Sequence, residues 1–204
     1  MKKTAFNEIH KSLGGKMVEF GGFEMPVQYS GIIEEHLAVR NGVGVFDVSH
    51  MGEFEVSGRD ALGFLQKVTV NDVSKLSEGK AQYSAMCYEN GGIVDDLLVY
   101  KRNDRYMLVV NAANIRKDFE WLQKNFSGDV MLVDVSDKFS LLAIQGPKSL
   151  ATLQGLTSTD LSSIPYYSFA EGTVSGIPAV ISRTGYTGEL GFEIYFDSGE
   201  SIGR

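Results

Sequence analysis

Hydrophobic positions along this chain switch between two periods, and the switches mark out its elements. Phe6, Ile9 and Leu13 recur at helical spacing and end at Gly14-Gly15, which predicts a short opening helix. Residues 17–29 alternate only in part and hold Gly21-Gly22 and Pro26, so they read as irregular strand. Ser30 can cap a helix over 31–41, with Ile33 and Leu37 facing inward and Gly42 as its stop. Residues 43–48 and 51–56 read as strands, and Asp60 as the cap of a helix running to Val68.

The clearest strand signal follows. Residues 82–88, 93–101 and 106–110 are β-rich runs joined by Glu89-Asn90-Gly91-Gly92 and Asn103-Asp104, both good turn sequences. A helix is predicted over 113–125, with Ile115, Phe119 and Leu122 on one face, then strands at 130–135 and 139–145. Pro147 suits the first position of a helix ending near Gly155, and 172–174, 179–182 and 192–196 read as strands. No internal repeat or low-complexity tract is evident. Strands in hairpins among helices, without steady β-α-β alternation, predict an α+β fold with mixed and antiparallel sheets. No composition break marks a linker, so domains that share segments are expected.

Composition narrows the function classes. The 204 residues suffice for one large domain or two intertwined smaller ones, and 43% hydrophobic with 22% charged residues is ordinary for a globular protein. No apolar run approaches the ~20 residues of a membrane span. The opening MKKTAFNEIHKSL lacks the apolar core of a signal peptide, so a reducing, cytoplasmic setting is expected. A lone Cys87 excludes an intrachain disulfide, and His10, His36 and His50 are too scattered to predict a metal site. A net charge of −7 argues against nucleic-acid binding but leaves room for local basic patches.

Two segments hold residues that could do chemistry. On the strand over 93–101, alternation puts Val94, Asp96, Leu98 and Tyr100 on one face and Asp95, Leu97, Val99 and Lys101 on the other. Both faces are largely apolar, so the strand is expected to be covered on both sides. A carboxylate there costs several kcal/mol unless it is paired or meets a ligand. Either aspartate could be the ligand-facing one; equally, one could cap a turn or pair with a basic residue. The segment 182–193, SRTGYTGELGFE, repeats Gly185, Gly188 and Gly191 around Tyr186 and ends in Glu193. It is no dinucleotide fingerprint, and a Gly-rich turn is the plainer reading. Glu193 raises its interest, because a carboxylate can accept two hydrogen bonds from a guanidine-like edge. Asn111 reads locally as a helix cap, His50 as a satisfied structural histidine and Cys87 as a buried small residue. No G-x-S-x-G elbow supports a serine hydrolase.

Taken together, YSGIIEEHLAVRNGVGVFDVSHMGEFEV, QYSAMCYENGGIVDDLLVYK, MLVVNAANIRKDFEWL, LLAIQGP and SRTGYTGELGFE resemble the amino-terminal portion of the aminomethyltransferase (T protein) family of the glycine cleavage system, in its order and spacing. The resemblance implies domains around a channel holding tetrahydrofolate as cosubstrate. It divides the chain into a discontinuous folate-binding subdomain, 1–50 with 138–204, and a second α+β subdomain, 51–137. It implies that the aminomethyl group on the lipoyl arm of H protein is converted to methylenetetrahydrofolate and ammonia, with no metal, membrane or nucleic acid involved. Carried over by motif, Asp96 is the catalytic residue, orienting the folate and stabilising positive charge as ammonia leaves. Leu98 and Tyr100 would line the pterin pocket, Asn111 and Glu193 would read its polar edge, and Met51, Tyr83, Val109, Tyr166 and Tyr186 would help wall it.

The family's chains are longer, so this one lacks the later folate-binding arginine and the carboxy-terminal barrel domain, and poor activity is expected of it. Other readings are a non-catalytic folate-binding module, as in iron–sulfur assembly factors, the folate domain of a dimethylglycine or sarcosine oxidase, or a fragment that binds nothing. The first is disfavoured because R-T-G-Y-T-G-E carries no cysteine where those factors have one. The second would place a flavin domain before a chain that opens directly on T-protein-like sequence.

Overall fold

Where the pattern over 17–29 breaks, the chain doubles back on itself. Phe20 pairs with Phe23 across Gly21-Gly22, whose φ angles of 58° and 88° are both positive. That is the backbone of a tight primed turn, which glycine adopts without a Cβ clash. The irregular strand is therefore a hairpin. The computed structural model describes residues 1–199. In chain order, α1 (Asn7–Ser12) precedes the hairpin strands β1 (Lys16–Phe20) and β2 (Phe23–Gln28), then α2 (Ile32–Asn41) and β3 (Gly44–Asp47). Next come β4 (Gly52–Ser57), α3 (Ala61–Val68), β5 (Ala81–Cys87), β6 (Ile93–Arg102), β7 (Arg105–Val110), α4 (Ile115–Lys124) and β8 (Met131–Asp134). The last described group is β9 (Phe139–Gln145), α5 (Ser149–Gln154), β10 (Phe169–Val174), β11 (Ile177–Ser182) and β12 (Gly191–Asp197).

The fold is α+β. The chain divides into two compact units, Met1–His50 with Lys138–Arg204 (described to residue 199) and Met51–Asp137. In the first, a five-stranded sheet runs β10-β11-β12-β9-β3; in the second, another runs β5-β6-β7-β4-β8. Every strand pair in both is antiparallel.

The two sheets share one plan. A strand (β4 or β9) leads through a helix (α3 or α5) into a three-stranded meander, then pairs with the meander's last strand. Before each meander sits a 3-10 turn capped by an aspartate: Asp72 accepts from Ser74 N and Asp160 from Ser162 N. This corrects the expectation of no internal repeat. The repeat lies in topology and in Asp-x-Ser turns, and too few side chains match for self-similarity to show.

Burial follows from which face of each sheet the helices cover. In the second unit Phe54, Val56, Leu97, Val99, Leu108 and Val110 form a core with Phe64 and Leu65 of α3 and Leu122 of α4. In the first, Ile144, Ile181, Phe192 and Ile194 pack with Leu153 of α5. Both are contiguous apolar cores of the kind that dominates folding free energy.

Several local expectations change. Ile33 and Leu37 are 74% and 50% exposed; the covered side of α2 is that of Val39. The cap of α2 is not Ser30: Glu35 reaches back and accepts from the backbone N–H groups of Tyr29 and Gly31, as a capping box does. Asp60 holds Asp129 N and makes no side-chain cap on α3. α5 begins at Ser149, after Pro147. His50 is buried against Phe20 and Phe23, but its Nδ1 has no partner among the described residues, so it is not fully satisfied. Burial pushes its imidazole below the usual range, outweighing the pull of Asp47. Cys87 is only half-buried, at a break in the β5–β6 register.

Candidate functional site

The start of β6 is where alternation meets an irregularity. Met86 pairs with Asp95 but Cys87 pairs with Ile93, so Val94 is an extra residue in the strand. Val94 consequently joins Leu97 and Val99 in the core and does not share a face with Asp96. Beyond the bulge the alternation is regular. Asp96, Leu98 and Tyr100 lie on one face, and Asp95, Leu97 and Val99 on the other. The Asp96 face is not evenly covered: Tyr100 and Met107 are fully buried, whereas Leu98 is half-buried and Tyr83, opposite it, is 51% exposed. The face is closed at one end of the sheet and open at the other, where Asp96 sits.

At that open end Asn111 gathers the aspartates. Its Nδ2 donates to Asp96 Oδ1 at 2.8 Å and to Asp95 Oδ1 at 3.0 Å. Its side chain makes no cap on the 3-10 turn that follows, so the local capping role expected of it is not the one it takes. It lies one residue beyond β7 and faces the start of β6, so the carboxylates outcompete the turn's own N–H groups. The other Asp96 oxygen, Oδ2, accepts from the Tyr83 hydroxyl at 2.9 Å. Tyr83, Asp96 and Asn111 are thus brought into direct contact. Leu98 pairs with both Tyr83 and Val109 in the adjoining row, Val109 being buried; Met51 is half-buried just before β4.

Asp95 points the other way and is buried. Burial alone would raise its carboxyl, but hydrogen bonds from Asp118, Asn111 and Asn114 outweigh that and hold it below the usual range. Asp118, on α4, shows the reverse. Burial, and then the hydrogen bond and charge of Asp95, push its carboxyl up to about 8, with Lys117 opposing only weakly. Sequence reasoning missed Asp118. The signal was its place in a helix (Ile115, Phe119, Leu122) whose apolar stripe it adjoins.

The Gly-rich segment belongs to the first unit. Two of its three glycines, Gly185 and Gly191, answer to Gln145, another residue that sequence reasoning missed. A Cβ on Gly185 or Gly191 would fall 2.1 Å or 2.3 Å from the Gln145 amide. That amide donates to the carbonyls of Thr184 and Phe192 and accepts from Thr187 Oγ1. Arg40 fastens the loop from α2, donating to Thr187 O at 2.8 Å and to Glu189 at 2.9 Å. Glu193, opposite Ser182 on β11, accepts from the Thr184 hydroxyl; burial nonetheless raises its carboxyl above the usual range. Tyr166 is 66% exposed and stacks edge-on against Tyr167, while Tyr186 is wholly exposed. Tyr186 borders an open, largely apolar cleft of about 970 Å³ in the first unit, lined by α1, α2 and β3, which takes in neither Glu193 nor Tyr166.

The open end of the second sheet offers an aromatic ring, an apolar wall and a fixed carboxylate, a set suited to a flat heterocycle with N–H groups on its edge. Among the described residues there is no cluster of three metal-ligating side chains, and no helix is long and apolar enough to cross a membrane.

These features define an α+β protein with two five-stranded antiparallel sheets, one in each unit, and a carboxylate–amide site at the end of one of them. Residues 6–202 match the model of the GCVT N-terminal domain, and the chain belongs to that family. It is similar to an aminomethyltransferase of Geobacillus sp. (strain WCH70), 57% identical over 197 residues, covering 96% of this chain and 54% of that protein. The chain therefore spans about half the length of the curated relatives it matches. Among solved structures, the glycine cleavage system aminomethyltransferase T from Bartonella henselae superposes with a TM-score of 0.89 at 34% identity, covering 98% of this chain and 56% of that one. A heterotetrameric sarcosine oxidase from Corynebacterium sp. U-96 shares the fold, with a TM-score of 0.58 at 18% identity over 83% of this chain and 86% of that one.

Proposed function

We propose that this chain carries the tetrahydrofolate-binding half of an aminomethyltransferase. The observation that supports this most is the Asp96 carboxylate at the open end of β6, held by Asn111 on one oxygen and Tyr83 on the other. In the reaction proposed, the aminomethyl carbon on the lipoyl sulfur of H protein passes to tetrahydrofolate, giving methylenetetrahydrofolate, ammonia and the free thiol.

The residues present fit that cosubstrate. Tyr83 and Leu98 offer flat and apolar contact to one side of a pterin-sized ring, and Tyr100 and Val109, buried on the same face of the sheet, continue it. Asp96, fixed rather than free to rotate, is preorganised to orient the ring and to stabilise positive charge as ammonia departs. In the first unit, burial raises the Glu193 carboxyl above its usual range, and its oxygens are the acceptors assigned to a guanidine-like edge. Met51, half-buried just before β4, is assigned to the same site, Tyr166 and Tyr186 lie in the first unit, and a cytoplasmic setting accords with this chemistry.

Calorimetric titration of this chain with tetrahydrofolate tests the reading. The expected result is binding with a dissociation constant above about 1 µM, lost in Asp96→Asn. In a chain extended to the relatives' full length, tetrahydrofolate-dependent ammonia release from aminomethylated H protein should fall in both Asp96→Asn and Glu193→Ala. Unchanged rates in both would overturn the assignment; binding without any ammonia release would favour a non-catalytic folate module.

A further inference from the structure

Asp118 is wholly buried, and among the described residues neither of its carboxyl oxygens accepts a hydrogen bond from an N–H or O–H group. The ammonium of Lys117 is 3.7 Å from Oδ1, beyond hydrogen-bond range, and donates to Val94 O instead. What faces Asp118 is the carboxyl of Asp95, in hydrogen-bonding contact. Two carboxylates in such contact repel each other, so a hydrogen bond between them requires the pair to keep one proton. The other partners decide where it sits. Asp95 already receives Asn111 Nδ2 at 3.0 Å, Asn111 N at 3.4 Å and the Asn114 side chain, donors that favour an anion. Asp118 receives none. Asp118 is the acid of the pair and Asp95 the acceptor.

We propose that Asp118 is a positioning residue for the folate site: its O–H donates to Asp95, Asp95 holds the Asn111 amide, and that amide fixes Asp96. The proposal rests on the tetrahydrofolate reading of Asp96 given above. All of these groups lie in the second unit. The chain of contacts runs from the core side of β6, around the strand's end, to its ligand side. Asn111 bridges the two because it follows β7, where the sheet no longer separates the faces.

The arrangement makes the site sensitive to pH. The charged groups facing Asp118 are Asp95 from β6 and Lys117 from α4. As pH rises through about 8 the pair loses its proton, two anions are left in contact, and the hold on Asn111 loosens.

The side-chain amide of Asn111, followed by ¹⁵N NMR in the 204-residue chain, reports this directly. In the wild type its signal should move with one midpoint near pH 8. Asp118→Asn keeps a neutral donor against Asp95, so the step should vanish and the signal should stay at its low-pH position. Asp118→Ala should displace the signal at every pH. Tetrahydrofolate affinity measured alongside should fall about tenfold in Asp118→Ala and stay within about twofold of wild type in Asp118→Asn. If Asp118→Ala does not fold, the Asp118→Asn titration decides alone. No step in the wild type, or a step that persists in Asp118→Asn, overturns the proposal. If the step behaves as expected but tetrahydrofolate binds no variant, the hydrogen-bond chain stands and the folate reading of Asp96 is what fails.

Discussion

The two meanders open at opposite ends. In β5-β6-β7 the wider connection is the first, over 88–92, and the second is the two-residue turn Asn103-Asp104. In β10-β11-β12 the order is reversed, with a two-residue turn at Ser175-Gly176 and the long Gly-rich loop between β11 and β12. The polar residues follow the wide loops. Asp95, Asp96 and Asn111 gather at one end of the shared plan and Glu193 at the other. Their chemistry differs as well. Amide donors surround Asp95 and hold its carboxyl down, whereas Glu193 has a hydroxyl donor and its burial prevails. The same scaffold therefore yields an anion-holding site in one unit and a raised carboxyl in the other, by the choice of donors and of the loop that widens.

The sharpest way to break this comparison is steric. Gly191→Ala drives a Cβ into Gln145 and should destabilise the chain by about 3 kcal/mol, readable as a drop in the urea midpoint. Alanine at Gly63, where a Cβ meets nothing, should leave it near wild type. Next in size is Asn111→Ala, which removes the donor shared by Asp95 and Asp96 and should cost about 2 kcal/mol in the same measurement. A loss smaller than that of Tyr83→Phe would show that the amide does not organise the site.

A smaller effect separates the carboxyls by pH. Because Glu193 and Asp118 have folded-state values above their ordinary ones, the folded chain keeps protons that the unfolded chain has released. Their contribution is greatest at acid pH and declines as pH rises, from about 4.5 upward for Glu193 and between 3.8 and about 8 for Asp118. Asp95, held low, contributes in the opposite sense, losing its share as pH falls below its ordinary 3.8. Urea midpoints of Glu193→Gln taken from pH 4 to 8 should decline less steeply than those of wild type. The smallest effect belongs to Tyr83→Phe. The ring is half-exposed, so stability should change by about 0.5 kcal/mol or less while tetrahydrofolate binding weakens measurably.

Residue pattern alone determined a good deal. The β-rich runs over 82–110, the helix carrying Ile115, Phe119 and Leu122, and the choice of Asp96 over Asp95 for the Leu98 and Tyr100 face all follow from period and alternation, which are local. Family resemblance in five segments carried the reading of function. What local pattern could not supply were relations between distant positions. Gln145 and Gly191 are 46 residues apart in sequence, and only their meeting explains why position 191 holds a glycine. Asp95 and Asp118 look like an ordinary strand residue and an ordinary helix residue until packing brings the two carboxyls together. The bulge that returns Val94 to the core is set by pairing with Met86 and Cys87, not by β6 itself. Ile33 and Leu37 have helical spacing, but spacing fixes only that two residues share a face; the rest of the fold decides whether that face is covered. Asp96 was legible as a carboxylate on the Leu98 and Tyr100 side of a strand. The amide and hydroxyl that hold it come from β7's end and from β5, and only tertiary structure could place them there.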